Sequence, residues 1–302
     1  MNTELKIILE YYPTISSEIN LFMSSTVFIA VIFAALLHSI WNAMVKNYED
    51  KAISVSAIVL GHIPVAILAI LFLPLPVLES VPYIILSAFI HQGYQYYLIS
   101  AYKNEDLTRV YPIARGTAPI IVTLISILFL GLLISKIQIL SIFLICFGVV
   151  ILGFFSKNSL KNNKAIIYSL VTGFFIGLYS LVDGYGARIS LSPLSFIGWS
   201  FTLNAIIFPF VLRFMNYSAV YSRVIREAKL IFWIGGSISY IVYGIVVWAF
   251  TKAPIPLVGA LRETSIVFAI LIGSLFLKEK LTPLKISSIF LIFIGVLTLK
   301  LF

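Results

Sequence analysis

Ten runs of about 20 mostly apolar residues, joined by short polar connections, leave this chain few ways to fold. They lie near 24–45, 53–73, 81–102, 109–130, 135–155, 165–186, 193–213, 229–250, 254–277 and 283–301. A helix rising 1.5 Å per residue needs about 20 such residues to cross a bilayer core. Inside lipid, every backbone donor and acceptor must be satisfied by the segment itself or by a closed barrel. Only 11% of the residues are charged, against roughly 25% in a soluble domain, and 61% are hydrophobic. The expected fold class is therefore an all-α membrane protein with ten transmembrane helices. The longest connection, around 215–228, is too short for a soluble domain.

The second half echoes the first at a constant offset of 147 residues. Ser141-Ile-Phe-Leu-Ile145 recurs as Ser288-Ile-Phe-Leu-Ile292, Gly148-Val149 as Gly295-Val296, and Arg115-x-Thr117 as Arg262-x-Thr264. Tyr96 falls opposite Tyr243. Five spans per half is an odd number, so the second half would enter the membrane upside down. Two inverted five-helix repeats are expected, over 24–155 and 165–302, after an N-terminal tail over 1–23. Inverted repeats are the usual construction of secondary transporters, with the site at the repeat interface. In the tail, Leu5, Ile8, Leu9 and Tyr12 share one helical face that suits a membrane surface. Its acids, Glu4, Glu10 and Glu18, are not those of a secretory signal peptide. Met23 opens directly onto the first span, which makes it a second candidate start.

Connections 1–2, 3–4, 5–6, 7–8 and 9–10 hold 14 Lys and Arg, and the opposite face holds five. The positive-inside rule then puts both termini outside a bacterial inner (cytoplasmic) membrane. The net charge of +9 sits in these scattered loops, which argues against a nucleic-acid partner. The single cysteine, Cys146, excludes disulfides and thiolate metal sites. His38, His62 and His91 lie on three spans without metal-ligand spacing, so neither a metal nor a cofactor is expected. No phosphate-binding loop, nucleophile elbow or zinc-protease motif is present, and an enzyme is not expected. The expected partners are a small-molecule substrate and the lipid bilayer, for a monomer or homodimer.

Arg115 and Arg262 are the strongest functional signal. Each lies roughly 8–12 Å into its span, where a guanidinium facing lipid costs a few kcal/mol. Two such forks suit a carboxylate, phosphate or phosphonate. The alternative is internal pairing, with Glu263 or Asp183 as the acid. His91 and Gln95 share a face of the third span with Tyr94 beside them, and the eighth span answers with Tyr240, Tyr243 and Trp248. His38, Trp41 and Asn42 share a face of the first span. The substrate-binding candidates are Arg115, Arg262, Trp41, Asn42, His91, Gln95, Tyr94 and Tyr243. The proton-coupling candidates are Glu263, His38 and Asp183. Asp183 precedes Gly184 and Gly186, so a solvated helix end is the simpler reading of it. Glu263, beside Arg262, is the better proton site, and a local ion pair with an arginine explains it equally. Gly173-xxx-Gly177 marks one close helix contact.

Four segments carry a family resemblance. They are Leu37-His-Ser-Ile-Trp-Asn-Ala-Met-Val-Lys46, Asp106-Leu-Thr-Arg-Val-Tyr-Pro-Ile-Ala-Arg-Gly-Thr-Ala-Pro119, Tyr179-Ser-Leu-Val-Asp-Gly-Tyr-Gly-Ala-Arg188, and Ala260-Leu-Arg-Glu-Thr-Ser265 with Leu277-Lys-Glu-Lys280. With these, residues 24–302 resemble the EamA branch of the drug/metabolite transporter superfamily. The resemblance implies a ten-helix fold with a central cavity and secondary transport, often proton-linked. It supports Trp41, Asn42, Arg115, Arg262 and Glu263 as wall positions. It also implies cytoplasmic termini, against the charge count. The expected function is transport of a small anionic or zwitterionic metabolite by alternating access, coupled to protons or run as exchange. The alternatives are an exporter of drugs or cations and a lipid-handling, flippase-like protein, which should open a groove sideways to the bilayer.

Overall fold

The computed structural model describes residues 23–46, 48, 50–155, 163–276 and 278–302. The expected surface helix of the tail, the loop residues Lys157 and Lys161, and Leu277 of the last motif lie outside them. Among the described residues the regular structure is helical throughout: α1 (Ser25–Lys46), α2 (Lys51–Gly61), α3 (Ile63–Phe72), α4 (Val81–Tyr102), α5 (Leu107–Leu128), α6 (Lys136–Phe154), α7 (Asn163–Ile189), α8 (Pro193–Phe214), α9 (Val220–Glu227), α10 (Gly236–Phe250), α11 (Ile255–Arg262), α12 (Ser265–Phe276) and α13 (Pro283–Leu301). Nine segments of the described residues are long and apolar enough to cross a membrane, counting α2 with α3, α11 with α12, and α10 with the π-helical turn Ile231–Gly235 that leads into it. The tenth expected span, α4, has the length, 22 residues, but its row of His, Gln and Tyr makes it too polar to count by composition.

Two spans are interrupted. The second breaks at His62, where Pro64 opens α3 and cannot donate to the ladder. The ninth was expected as one run over 254–277, but it tightens between Arg262 and Ser265. Glu263 N bonds Ala260 O at 3.0 Å, Thr264 N bonds Leu261 O at 3.1 Å and Ile266 N bonds Glu263 O at 3.0 Å. Each bond reaches back three residues instead of four. A tight turn inside a helix is a common hinge signature. Sequence hydropathy is blind to it, because the apolar run continues across the break.

Local signals set the other ends. Asp50 accepts from the backbone of Ala52 and Ile53 at the start of α2. Ser135 and Gln138 form a reciprocal capping box on α6. Arg188 donates to Phe250 O at 2.9 and 2.7 Å, tying α7 to the end of α10.

The packing pairs equivalent elements of the two halves. α4 lies on α7 and α10 on α1, while α5 lies on α7 and α12 on α1. The last spans, α6 and α13, pack on each other through reciprocal glycines. A Cβ on Gly148 would sit 3.0 Å from Ile292 Cγ1, and one on Gly295 would sit 2.7 Å from Ile145 Cγ1. Each glycine thus admits the isoleucine equivalent to its neighbour's. Gly173 and Gly177 do mark a close contact: Cβ atoms there would meet Thr117 and Ile121 of α5 at 2.0 and 2.9 Å. Large apolar side chains such as Leu71, Phe72, Phe143, Phe290 and Phe293 remain exposed on the outer surface, where lipid would cover them.

Candidate functional site

The interior encloses a cavity of about 120 Å³ between the two halves. All eight substrate-binding candidates line it: Trp41 and Asn42 from α1, His91, Tyr94 and Gln95 from α4, Arg115 from α5, Tyr243 from α10 and Arg262 from the end of α11. His38 lines it as well. Residues from both halves, far apart in sequence, therefore share one wall.

The two arginines differ. Arg115 is 4% exposed, and its Nε donates to Glu263 Oε2 at 2.9 Å. Arg262 is equally buried but makes no ion pair among the described residues, and its Nε has no hydrogen-bond partner there. Its side chain reaches the Tyr179 hydroxyl. Glu263 is 0% exposed and stands behind the wall, outside the cavity lining. Glu263 does pair with an arginine, as one reading of the sequence expected, but the pair is not local: the partner is Arg115, from the other half. Neighbouring residues on a helix point about 100° apart, so Glu263 faces away from Arg262 and toward α5.

Asp183 also departs from expectation. It is not a solvated helix end, because α7 runs on to Ile189 and Asp183 is 0% exposed. Gly184 and Gly186 end nothing. They admit close neighbours, and Cβ atoms there would lie 2.5 Å from Ile255 Cδ1 and from the Phe196 ring. Tyr243 donates its hydroxyl to Asp183 Oδ2 at 2.6 Å, and His91 Nε2 lies 3.2 Å from the same oxygen. The carboxyl therefore sits one layer behind the cavity, reached through two wall residues.

On the first span, His38 Nε2 lies 2.6 Å from the Tyr111 hydroxyl, to which Asn42 Nδ2 donates at 3.1 Å. The Trp41 ring stands edge-on to His38 at 4.9 Å, with its indole N–H unpartnered among the described residues. Gln95 Oε1 is likewise buried and unpartnered. His91 stacks on Tyr179 at 4.2 Å, and Tyr94 meets Tyr179 edge-on at 5.5 Å. The wall thus combines aromatic faces with a few unspent donors and acceptors, as small-molecule sites commonly do.

Tyr111, Tyr179, Phe201, Asn204 and His62 also line the cavity and were not among the sequence candidates. Tyr179 was signalled by its i, i+4 spacing to Asp183. Phe201 and Asn204 lie in an ordinary apolar run, and nothing in the sequence marks them. Tyr96 does not join the wall: its ring packs toward Phe214 at 6.2 Å. Gln92 lies off the wall, its Nε2 donating to Asn204 Oδ1 at 2.6 Å.

The model of the EamA-like transporter family matches residues 163–301. That bears out the resemblance read from the sequence and makes membrane transport the activity of the matched family. No curated protein matches the chain. Solved structures do, and one of them, titled only as the crystal structure of a protein, aligns with a TM-score of 0.70 at 15% identity. It covers 92% of this chain and 97% of its own, and at that identity the likeness is one of fold.

Proposed function

We propose that this chain, EamA-like over residues 163–301 and helical and multi-pass throughout its described residues, is a secondary active transporter of a small anionic or zwitterionic metabolite. One observation carries this reading: Arg262 is buried in the cavity wall with no ion pair and an unpartnered Nε among the described residues. A guanidinium cannot shed its proton, and a buried charge without a partner is costly. An acid group of the substrate would supply the partner, with Arg115 beside it. The reciprocal contacts of α6 and α13 and the swapped packing of the other spans support two inverted repeats. Counting α4 as a tenth crossing puts its polar row on the cavity, away from lipid. Alternating access would then rock one half against the other, with the tight turn at Glu263 and Thr264 as a hinge. Asp183, reached from the cavity through His91 and Tyr243, is the candidate proton carrier. The excess of basic loops orients both termini outside a bacterial inner membrane. Export of drugs or cations is disfavoured by two guanidinium groups in one small cavity.

The test is ligand-induced thermal stabilisation of the purified protein by a panel of carboxylates, amino acids, phosphonates and cationic dyes. A ligand bound only by the folded state raises the melting temperature. Stabilisation by acids that disappears in Arg262→Ala supports the reading. Stabilisation by cationic dyes alone overturns it.

A further inference from the structure

A second cavity, of about 530 Å³, opens between α1, α5 and α12 and runs to the connection before α13. Its walls are mainly apolar, with Leu107, Leu152, Phe155, Ile270 and Leu284 among them. At its end, Lys285 Nζ lies 3.0 Å from Glu279 Oε2. The largely apolar lining suits an alkyl chain.

Two side chains, Asn42 and Tyr111, line both this cleft and the central cavity. They form the partition, joined by the 3.1 Å bond from Asn42 to the Tyr111 hydroxyl. On the central side, the Arg115 guanidinium lies 5.8 Å from the Tyr111 ring centroid. An acid group held by the arginines would therefore sit beside the partition. Much of the remaining central wall is hydrocarbon, including Val55, Ile58, Val59, Val242 and Val246. Among the described residues, the lining of this cleft is not repeated in the other half. At the equivalent place in the other half, offset by 147, Ser39, Thr108 and Tyr111 are replaced by Gly186, Ile255 and Val258. There Gly186 is packed on Phe196, and Ile255 and Val258 are buried.

We propose that the substrate is an amphiphilic acid with a single hydrocarbon chain, its head held by Arg115 and Arg262 and its tail passing Tyr111 into the lateral cleft. The proposal rests on the reading that the arginines take an acid, and adds the tail and its route from the bilayer. Rotation of the Tyr111 ring away from Asn42 would join the two cavities.

The test is calorimetric titration of the full chain in nanodiscs of zwitterionic lipid with acetate, butyrate, hexanoate and octanoate, corrected against empty discs. Each buried methylene should tighten Kd up to about fourfold. In Ala269→Trp, which fills the cleft from an exposed position on α12, acetate should bind as before while the gain with length is lost. Ala43→Phe fills the same cleft from α1 and stands in if the first variant does not fold. Acetate binding with no dependence on length overturns the tail and leaves the arginine reading intact. A gain with length that survives a folded cleft-filling variant overturns it too. Acid binding that is unchanged in Arg262→Ala overturns both readings. Binding of dioctanoyl phosphatidate with none of octanoate replaces the single-chain acid by a two-chain lipid.

Discussion

Replacing Glu263 by leucine removes the carboxylate that neutralises Arg115. The pair is close, 2.9 Å, and its side chains are 5% and 0% exposed. At an effective dielectric constant of about 20, charges at that separation attract by roughly 6 kcal/mol, much of which only offsets their desolvation. Removing one member of a buried pair costs about 3–5 kcal/mol, because the other charge is stranded. The geometry places the two single variants at opposite ends of that range. Arg115 lines the cavity, where water can solvate it once Glu263 is gone, so Glu263→Leu should cost about 3 kcal/mol. Glu263 lies behind the wall, so Arg115→Met strands a carboxylate in a closed site and should cost about 5 kcal/mol. The double variant replaces the pair by apolar groups and should fall within about 1 kcal/mol of the parent. Reversible unfolding in mixed dodecyl maltoside and SDS micelles, followed by tryptophan fluorescence, measures all three. Additive single costs in the double variant would refute the pairing, and a cost below about 1 kcal/mol for Glu263→Leu would refute the buried-charge reasoning. Arg262→Ala supplies the contrast, since Arg262 makes no ion pair among the described residues and no carboxylate is stranded by its loss; it should cost no more than about 1 kcal/mol.

Gly61→Ala should destabilise by about 1–3 kcal/mol in the same assay, because its Cβ would stand 2.1 Å from the Phe232 carbonyl oxygen and the obstacle is backbone; no measurable loss would mean that α2 can part freely from the turn at Ile231–Gly235. Asp183→Asn should fold and exchange substrate across proteoliposome membranes yet lose the response to an imposed pH gradient, and a retained response would move the proton to another group. At the membrane surface, Arg223 bonds Glu227 and holds its carboxyl below the usual 4.5. A depressed folded-state pKa stabilises above the unfolded value and loses that contribution as pH falls through the folded one. The stability gap between the parent and Glu227→Gln should therefore be constant above about pH 5 and close as the pH drops below 4.5; a gap that widens in acid would contradict the pairing.

The spans were legible because lipid asks only for length and apolarity, and those are local properties. The site candidates were legible for the opposite reason: arginine, histidine and glutamine inside apolar runs have nowhere else to point but a cavity. The misreadings share one cause. The pairing weighed for Glu263 was a local one, beside Arg262 in sequence, although adjacent residues on a helix face different ways. Asp183 was read as a helix end because glycines follow it, although a glycine equally marks where a neighbour comes close, here Ile255 and Phe196. Both meanings are decided by packing partners on other helices, such as Arg115 for Glu263 and Ile255 for Gly184, which no local spacing reports. Phe201 and Asn204 went unseen for the same reason, since they are wall residues only because α8 is packed against α4.

The same offset that pairs Arg115 with Arg262 pairs Gly116 with Glu263. Had both halves carried the acid, each arginine could have been neutralised by the opposite half and the cavity would have no charge left for a ligand. Packing prevents that. A Cβ on Gly116 would lie 2.5 Å from Val150 Cγ2 and 3.0 Å from Cys146 O, so no carboxylate fits there. On the other half the chain tightens at Glu263, and the side chain finds room to cross to Arg115. One guanidinium is thereby held in place by protein and the other is left to the cavity. Glycine in one half and glutamate at the matching place in the other is thus the difference that separates the two guanidinium groups, and on the proposed reading the charge it leaves is the one that holds an acid.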